Sequence, residues 1–400
     1  MAVLAAAIAL TGCRTTEYER IELSGIPQST ADPGIVIEQD GDMKGEEESM
    51  LKLPGVTEAP ETDTEAVTEE EADAGADVPM DTAGKNTLLF GGDVLLSSHV
   101  LSAYQKAGGI SGVLDEGYRS VIWDAGFFMV NEEFPFSSRG IQAADKEYTF
   151  RLEPERVSIF REMGIDAVTL ANNHALDFGE DALLDSVATL DGAGILHTGA
   201  GADLSEARKP VVTVLDGQET AVIGATRVVP ESSWAAGKNH AGMLSSYDAT
   251  ALLEEVRAQK ESGKFVIVYV HWGVEKDEKP QEYQRTLGQQ YINAGADLVI
   301  GAHPHVLQGI EYYKGKPIVY SLGNFVFGST IPRTMLLEVK LEKDGGGQSA
   351  VHLRLIPGTS GAGYTRMLTD SAKLQEFYRY IESISFGVTL MEDGSVIPQQ

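Results

Sequence analysis

From about Asn86 onward the chain alternates between two apolar patterns. "TLLFGGDVLL" (87–96) is a continuous apolar run broken only by Gly-Gly-Asp, which predicts a buried strand. "VSIFREMGIDAVTLANNH" (157–174) predicts a helix followed by a strand that ends in Asn172, Asn173 and His174. In "EDALLDSVATLDGAGI" (180–195) the apolar positions 183, 184, 187 and 190 keep helical spacing, and Gly192 and Gly194 can end the helix. "AVIGATR" (221–227) then reads as a strand, "DATALLEEVRAQKESG" (248–263) as an amphipathic helix and "KFVIVYVHWG" (264–273) as a strand. A helix in "QEYQRTLGQQYINAG" (281–295) leads into the strand "ADLVIGAHPH" (296–305), and "KPIVYSLGNFVFG" (316–328) reads as one more strand.

Strands alternating with helices in this way predict an α/β sheet covered by helices. The end of the chain differs: "TMLLEVKLEKDGGGQSAVHLRLIP" (334–357) predicts a hairpin around Gly-Gly-Gly, and "DSAKLQEFYRYIESIS" (370–385) a late helix. No internal repeat is visible.

Charge separates the N-terminal part from the rest. Residues 14–85 carry 20 Asp plus Glu against 5 Lys plus Arg, a balance of −15 out of the chain's −29. With scattered Pro, Gly, Ser and Thr and almost no aromatic residues, this segment is expected to be a disordered, self-repelling acidic linker. A chain of net charge −29 without a basic run excludes nucleic acid as a partner, whereas multivalent cations fit it.

The single cysteine, Cys13, rules out an intramolecular disulfide. It follows "MAVLAAAIALTG", an apolar run too short to span a bilayer that ends in small residues. "LTGC" resembles a bacterial lipoprotein signal, which implies lipidation of Cys13 and a membrane tether; the alternative is an incidental free thiol.

Five strands end in a polar or metal-capable residue where the chain passes into a loop. They give Asp93 in "GGDV", Glu133 in "VNEEFP", Asn173 and His174 in "ANNH", His271 in "VHWG", and His303 and His305 in "GAHPH". Carboxylate, imidazole and amide oxygen together suit a divalent metal. Taken singly, each residue has another reading. Asn172 and Asn173 make turns, Asp93 could cap a helix, and His271 could be a core histidine. Glu133 sits beside Glu132, and adjacent carboxylates are usually solvated surface. The remaining histidines, His99, His197, His240 and His352, have no such company.

The order of these motifs resembles the calcineurin-like metallophosphoesterase superfamily. "GGDVLL", "NEEFP", "LANNHALDFG", "VHWGVE" and "GADLVIGAHPHVLQGIEYYKGKPIVYSLGNFVFG" resemble in particular its CapA branch, associated with bacterial poly-γ-glutamate capsule synthesis. The resemblance covers residues 86 to about 330. It implies a four-layer α/β/β/α sandwich of the metallophosphoesterase type and two divalent metals, Mn, Fe or Zn, at the strand ends. Asp93 and His305 would hold the first metal, Asn173, His271 and His303 the second, with Glu133 between them. It implies His174 as the catalytic proton donor, with Asn172, Asp177 and Asn324 supporting the ligands. Leu95 stands where the superfamily has a histidine, so the first metal loses a ligand.

The expected organisation is a lipoprotein-type signal segment at 1–13, a disordered acidic linker at 14–85, a CapA-like metallophosphoesterase domain at 86–335, and a C-terminal hairpin and helix at 336–400 completing the same domain. The expected location is the extracytoplasmic face of the cell membrane, lipid-anchored. Two functions follow from the resemblance. One is a metal-dependent, phosphoesterase-like hydrolase in capsule synthesis or export. The other is a non-catalytic accessory that binds poly-γ-glutamate or another anionic polymer, or membrane synthase subunits, its metals being structural.

Overall fold

In the computed structural model the described residues are 80–81, 87–144, 146–343 and 349–399, so Cys13 and the signal segment lie outside them, as does nearly all of the acidic linker. One piece of that linker is described: Met80–Asp81 pairs in parallel with Val211–Leu215, where an edge strand's free backbone groups accept a partner.

The apolar runs assemble into two sheets. In the first, the strand order is Tyr364–Met367, Ser349–Gly361, Ile331–Lys343, Thr87–Val94, Phe127–Glu132, Ala167–Thr169 and Leu196–Thr198. In the second it is Met80–Asp81, Val211–Leu215, Gln218–Thr226, Phe265–His271, Leu298–Ala302, Lys316–Leu322 and Leu307–Tyr313. The predicted C-terminal hairpin forms as Ile331–Lys343 against Ser349–Gly361, and its first strand lies antiparallel to Thr87–Val94. It therefore belongs to the first sheet, with its first strand beside Thr87–Val94, and runs across the 335/336 boundary.

Three apolar clusters define how these elements pack. One holds residues of both sheets, among them Phe90, Met129 and Leu337 from the first and Ile267, Ile300 and Val319 from the second. Tyr269 spans it, donating its hydroxyl to the Gly91 carbonyl. The helix Ser371–Ile384 adds Phe377, Tyr378 and Ile381 to the same cluster. The other two clusters lie on the sheets' outer faces, where helices such as Glu180–Ala193 cover the first sheet, and Thr250–Glu261 and Glu282–Ala294 the second. The architecture is an α/β sandwich.

"KPIVYSLGNFVFG", expected as one strand, is two. Lys316–Leu322 belongs to the second sheet and Asn324–Val326 pairs with Thr87–Val94 in the first. Gly323, at φ 57°, is the crossing point, in a left-handed conformation that favours glycine. A sequence reading could not find this break, because the run is mostly apolar on both sides of Gly323.

The strand leaving the His-Pro-His loop is held by a half-buried ion pair. On Leu307–Tyr313, Glu311 accepts hydrogen bonds from Arg285 (2.9 and 3.2 Å) and from the Tyr320 hydroxyl (2.8 Å). Burial alone would raise the Glu311 carboxyl, but these hydrogen bonds and the Arg285 charge outweigh it and hold it below the usual carboxylate range. A depressed carboxylate contributes stability that is complete above its unfolded pKa of about 4.3 and is lost as pH falls through the lower folded value. Glu311→Gln is expected to be less stable than wild type by about 1–3 kcal/mol at neutral pH. In urea titrations the gap should close as the pH is taken below the folded value.

Candidate metal centre

Both sheets bring the C-terminal ends of parallel strands to one place, where α/β folds bind ligands. Asp93 ends Thr87–Val94 after a register shift between Phe90 and Asp93, and its amide donates to the Gly323 carbonyl at 2.8 Å. Glu133 follows Phe127–Glu132. His271 ends Phe265–His271, in register with Ala302 on the neighbouring strand, after which come His303 and His305. The two adjacent glutamates, a pairing that taken alone suggests solvated surface, are both buried. Neighbouring residues of an extended chain face opposite ways, so Glu132 points to Ser186 on the covering helix while Glu133 faces the site. Burial raises the carboxyls of both well above the usual range, with the nearby Asp93 charge adding to it at Glu133.

The site is dense. One ligand atom each from Asp93, Glu133 and His271 lies within 4.8 Å of the other two, and the same holds for Glu275, His303 and His305. The two sets touch: His305 Nδ1 is 3.4 Å from Asp93 Oδ2 and 3.9 Å from Glu133 Oε2, and the His271 and His303 rings are 4.6 Å apart. His271 Nε2 is 2.9 Å from Asn173 Oδ1 and 3.5 Å from Glu133 Oε1. Every residue expected as a ligand is here. The other histidines contact different partners, such as Asp191 for His197 and Glu180 for His240.

Protonation states follow from burial and neighbours. Burial, then the proximity of His303 and His305, pulls His271 well below its ordinary value; burial and His305 pull His303 down to about 3. Both are neutral imidazoles, the form that binds metal. Burial alone would lower His305 too, but Glu133 and Asp93 outweigh it and push it up to about 10.

The supporting side chains are equally ordered. His305 Nδ1 meets Asn324 Oδ1 at 2.8 Å. Asn172 donates to the Asn131 side chain and the Glu132 carbonyl, and accepts from the His174 amide at 2.9 Å. His174 Nδ1 meets Asp177 Oδ2 at 2.7 Å, an oxygen that also accepts from the Phe150 amide at 2.7 Å. His303 and His305 both hold left-handed backbone, at φ 97° and 57°, which costs on the order of 1–3 kcal/mol each and marks a site whose geometry the surroundings impose.

Three participants were missed in the sequence. Asn131 donates its amide to Asp93 Oδ1 at 2.9 Å and Glu133 Oε1 at 3.2 Å, joining the two carboxylates. Lys146, from the loop after Glu133, donates to the Asn173 carbonyl and to Asp177, bracing the Asn-His turn from outside. Glu275 stands exposed at the rim. Asn131, as the first residue of "NEEFP", and Glu275, as the last residue of "VHWGVE", left a signal; Lys146 left none.

This donor set fits a divalent cation. Glu133 Oε2 and His303 Nδ1 are buried without a hydrogen-bond partner among the described residues. Such an atom costs about 1–3 kcal/mol unless something satisfies it, and an ion between the imidazoles and carboxylates would do so. Asn131→Ala, which frees both carboxylates, is expected to weaken metal affinity by roughly 10–100-fold while the fold persists. Competition against a chromogenic chelator measures this.

The sequence matches the family model described as "Bacterial capsule synthesis protein PGA_cap" over residues 87–329, a span that contains every residue of the centre. It is 33% identical over 314 residues to the PGA biosynthesis protein CapA of Bacillus subtilis, covering 77% of this chain and 80% of that protein. It is 30% identical over 310 residues to the capsule biosynthesis protein CapA of Bacillus anthracis, covering 74% and 73%.

Proposed function

Because the chain belongs to the bacterial capsule synthesis protein family, we propose that it serves poly-γ-glutamate capsule synthesis or export as a metal-dependent, phosphoesterase-like hydrolase. The single observation that carries the hydrolase reading is the convergence of Asp93, Glu133, His271, His303 and His305 on one buried point between the sheets. Two helix-covered sheets meeting in a common core support the α/β/β/α layering of the metallophosphoesterase type. We assign Asp93 and His305 to one ion, Asn173, His271 and His303 to the other, and Glu133 between them, with Glu275 within reach of the histidine pair. Mn, Fe and Zn all suit these donors.

When bound, the ions would supply Lewis acidity and make water a nucleophile near neutral pH. The chain's own residues do the rest. Burial lowers His174 below its ordinary value; Asp177, accepting from its Nδ1, works against that and favours a proton on Nε2 that can pass to the leaving oxygen. Lys146 and the Phe150 amide hold Asp177 in place, and the Phe150 ring lies against His174 at 4.6 Å. Removing this proton donor as His174→Ala should slow hydrolysis by about 10²–10⁴-fold.

The working location in this reading is the extracytoplasmic face of the membrane, with Cys13 as lipid anchor and residues 14–85 as spacer. Among the described residues no helix is long and apolar enough to cross a membrane. One observation favours a second reading, a non-catalytic accessory that binds anionic polymer or membrane synthase subunits. Leu95, 4% exposed, fills the place of one expected ligand with a side chain that cannot bind metal. Cells carrying Asp93→Ala or His303→Ala separate the two readings. Loss of capsule together with loss of Mn-supported phosphoester hydrolysis is expected; capsule that survives both substitutions but not deletion of the protein would refute the hydrolase.

A further inference from the structure

Beside the metal centre lies a second cavity, of about 300 Å³. Its inner wall is His305 with its partner Asn324, so it opens directly on the centre. Its outer wall carries two cations, Lys276 and Arg333, and one carboxylate, Glu278.

Lys276 is fixed by its backbone. It holds φ 63°, and its amide donates to the Pro304 carbonyl at 2.8 Å, which ties it to the His-Pro-His loop. Arg333, on Ile331–Lys343, lays its guanidinium 3.9 Å from the centre of the Tyr380 ring. Arg333 also hydrogen-bonds the Tyr380 hydroxyl, which in turn meets Glu278, and the fork has further N–H donors of the kind that match a carboxylate or phosphate. Neither cation forms an ion pair within 4.0 Å among the described residues, although Arg285, Lys316 and Arg354 elsewhere in the fold all do.

We propose that this cavity is a substrate subsite in which Lys276 and Arg333 bind a carboxylate of an acidic polymer, next to the group held at the metal centre. The proposal rests on the reading of that centre as the working site. Two cations against one carboxylate make the outer wall net positive, so it draws an anion, and the acidic polymer of the proposed function supplies that anion as carboxylates. The volume is at the lower end of ligand cavities, enough for one residue of a chain whose neighbour lies at the metals.

The test uses the full chain loaded with Mn²⁺, a γ-linked glutamate trimer as the probe, calorimetry for affinity and metal content measured on the same samples. Arg333→Gln and Lys276→Gln are each expected to weaken trimer binding about tenfold or more, the loss of one charge-assisted hydrogen bond. Metal content should stay unchanged, and Arg333→Lys should recover part of the affinity. A trimer with its carboxylates amidated should bind the wild type at least tenfold more weakly, a comparison that needs no variant to fold.

Undiminished trimer affinity in both variants, with metal retained, overturns the subsite and leaves the centre standing. If phenyl phosphate rather than the trimer loses affinity in the variants, the carboxylate assignment is overturned. A wild-type chain that holds no metal contradicts the proposed function itself, and that failure is read separately from trimer affinity.

Discussion

Asp93→Asn is expected to lower metal affinity by more than about 100-fold, beyond the cost of losing a supporting residue, while leaving the metal-free fold nearly as stable as wild type. The geometry explains both halves. Asp93 Oδ1 accepts from the Asn131 amide at 2.9 Å, and Oδ2 faces the His303 amide and His305 Nδ1, each at 3.4 Å. An asparagine here must aim its NH₂ either at the Asn131 NH₂ or at the two histidine nitrogens, so no orientation satisfies both sides. The charge that attracts a cation is also gone. In the metal-free chain the same charge acts both ways: it raises the buried Glu133 carboxyl and it holds the His305 cation. Removing it relieves the first and forfeits the second, so the net change in the metal-free fold is small. Isothermal titration with Mn²⁺ reads the first effect, and thermal unfolding in chelator reads the second. A variant that binds metal as wild type does would remove Asp93 from the centre.

Gly92→Ala should be the most damaging single methyl in the fold's centre. A Cβ at this position would stand 1.8 Å from the Gly323 carbonyl oxygen and 2.9 Å from its carbon. Both are backbone atoms of the segment that passes from one sheet to the other, and neither can move without breaking the bond from the Asp93 amide to that same oxygen. Destabilisation of about 4 kcal/mol or more, or failure to fold, is expected, in the range reserved for strain that the structure cannot absorb. Gly217→Ala is the control. Its φ of 73° strains an alanine, but open space surrounds the new methyl, so the cost should stay near 1–2 kcal/mol. Urea unfolding of the pair separates steric contact from backbone conformation. Equal losses would mean that the close approach of Gly92 to Gly323 does not hold in solution.

These two positions show why the motif "GGD" was legible as chemistry before it was legible as structure. The aspartate after an apolar run announced a strand-end ligand, and it is one of the residues that converge at the centre. The helices Glu180–Ala193 and Glu282–Ala294 stand where apolar spacing put them, because each buries one stripe against a sheet. What could not be read depends on contacts between distant segments. The reason for glycine at 92 is a carbonyl more than two hundred residues away. Asn131 lies inside the fully buried strand Phe127–Glu132, where no alternation marks which side chains face the site. Lys146 sits in a loop without periodic pattern and gains its role only because that loop folds back on the Asn-His turn. Glu132 and Glu133 looked solvated because paired charges usually are; here one carboxyl turns to the covering helix and the other to the centre.

In the function proposed above, the strand ends of both sheets form one metal centre. Crystals of the protein grown with Mn²⁺ and measured at the manganese absorption edge test it most directly. Two anomalous peaks are expected, flanking Glu133, one contacting Asp93 and His305 and the other Asn173, His271 and His303. Clear density for these side chains with no anomalous peak among them, at full Mn²⁺ occupancy elsewhere or none at all, would contradict it.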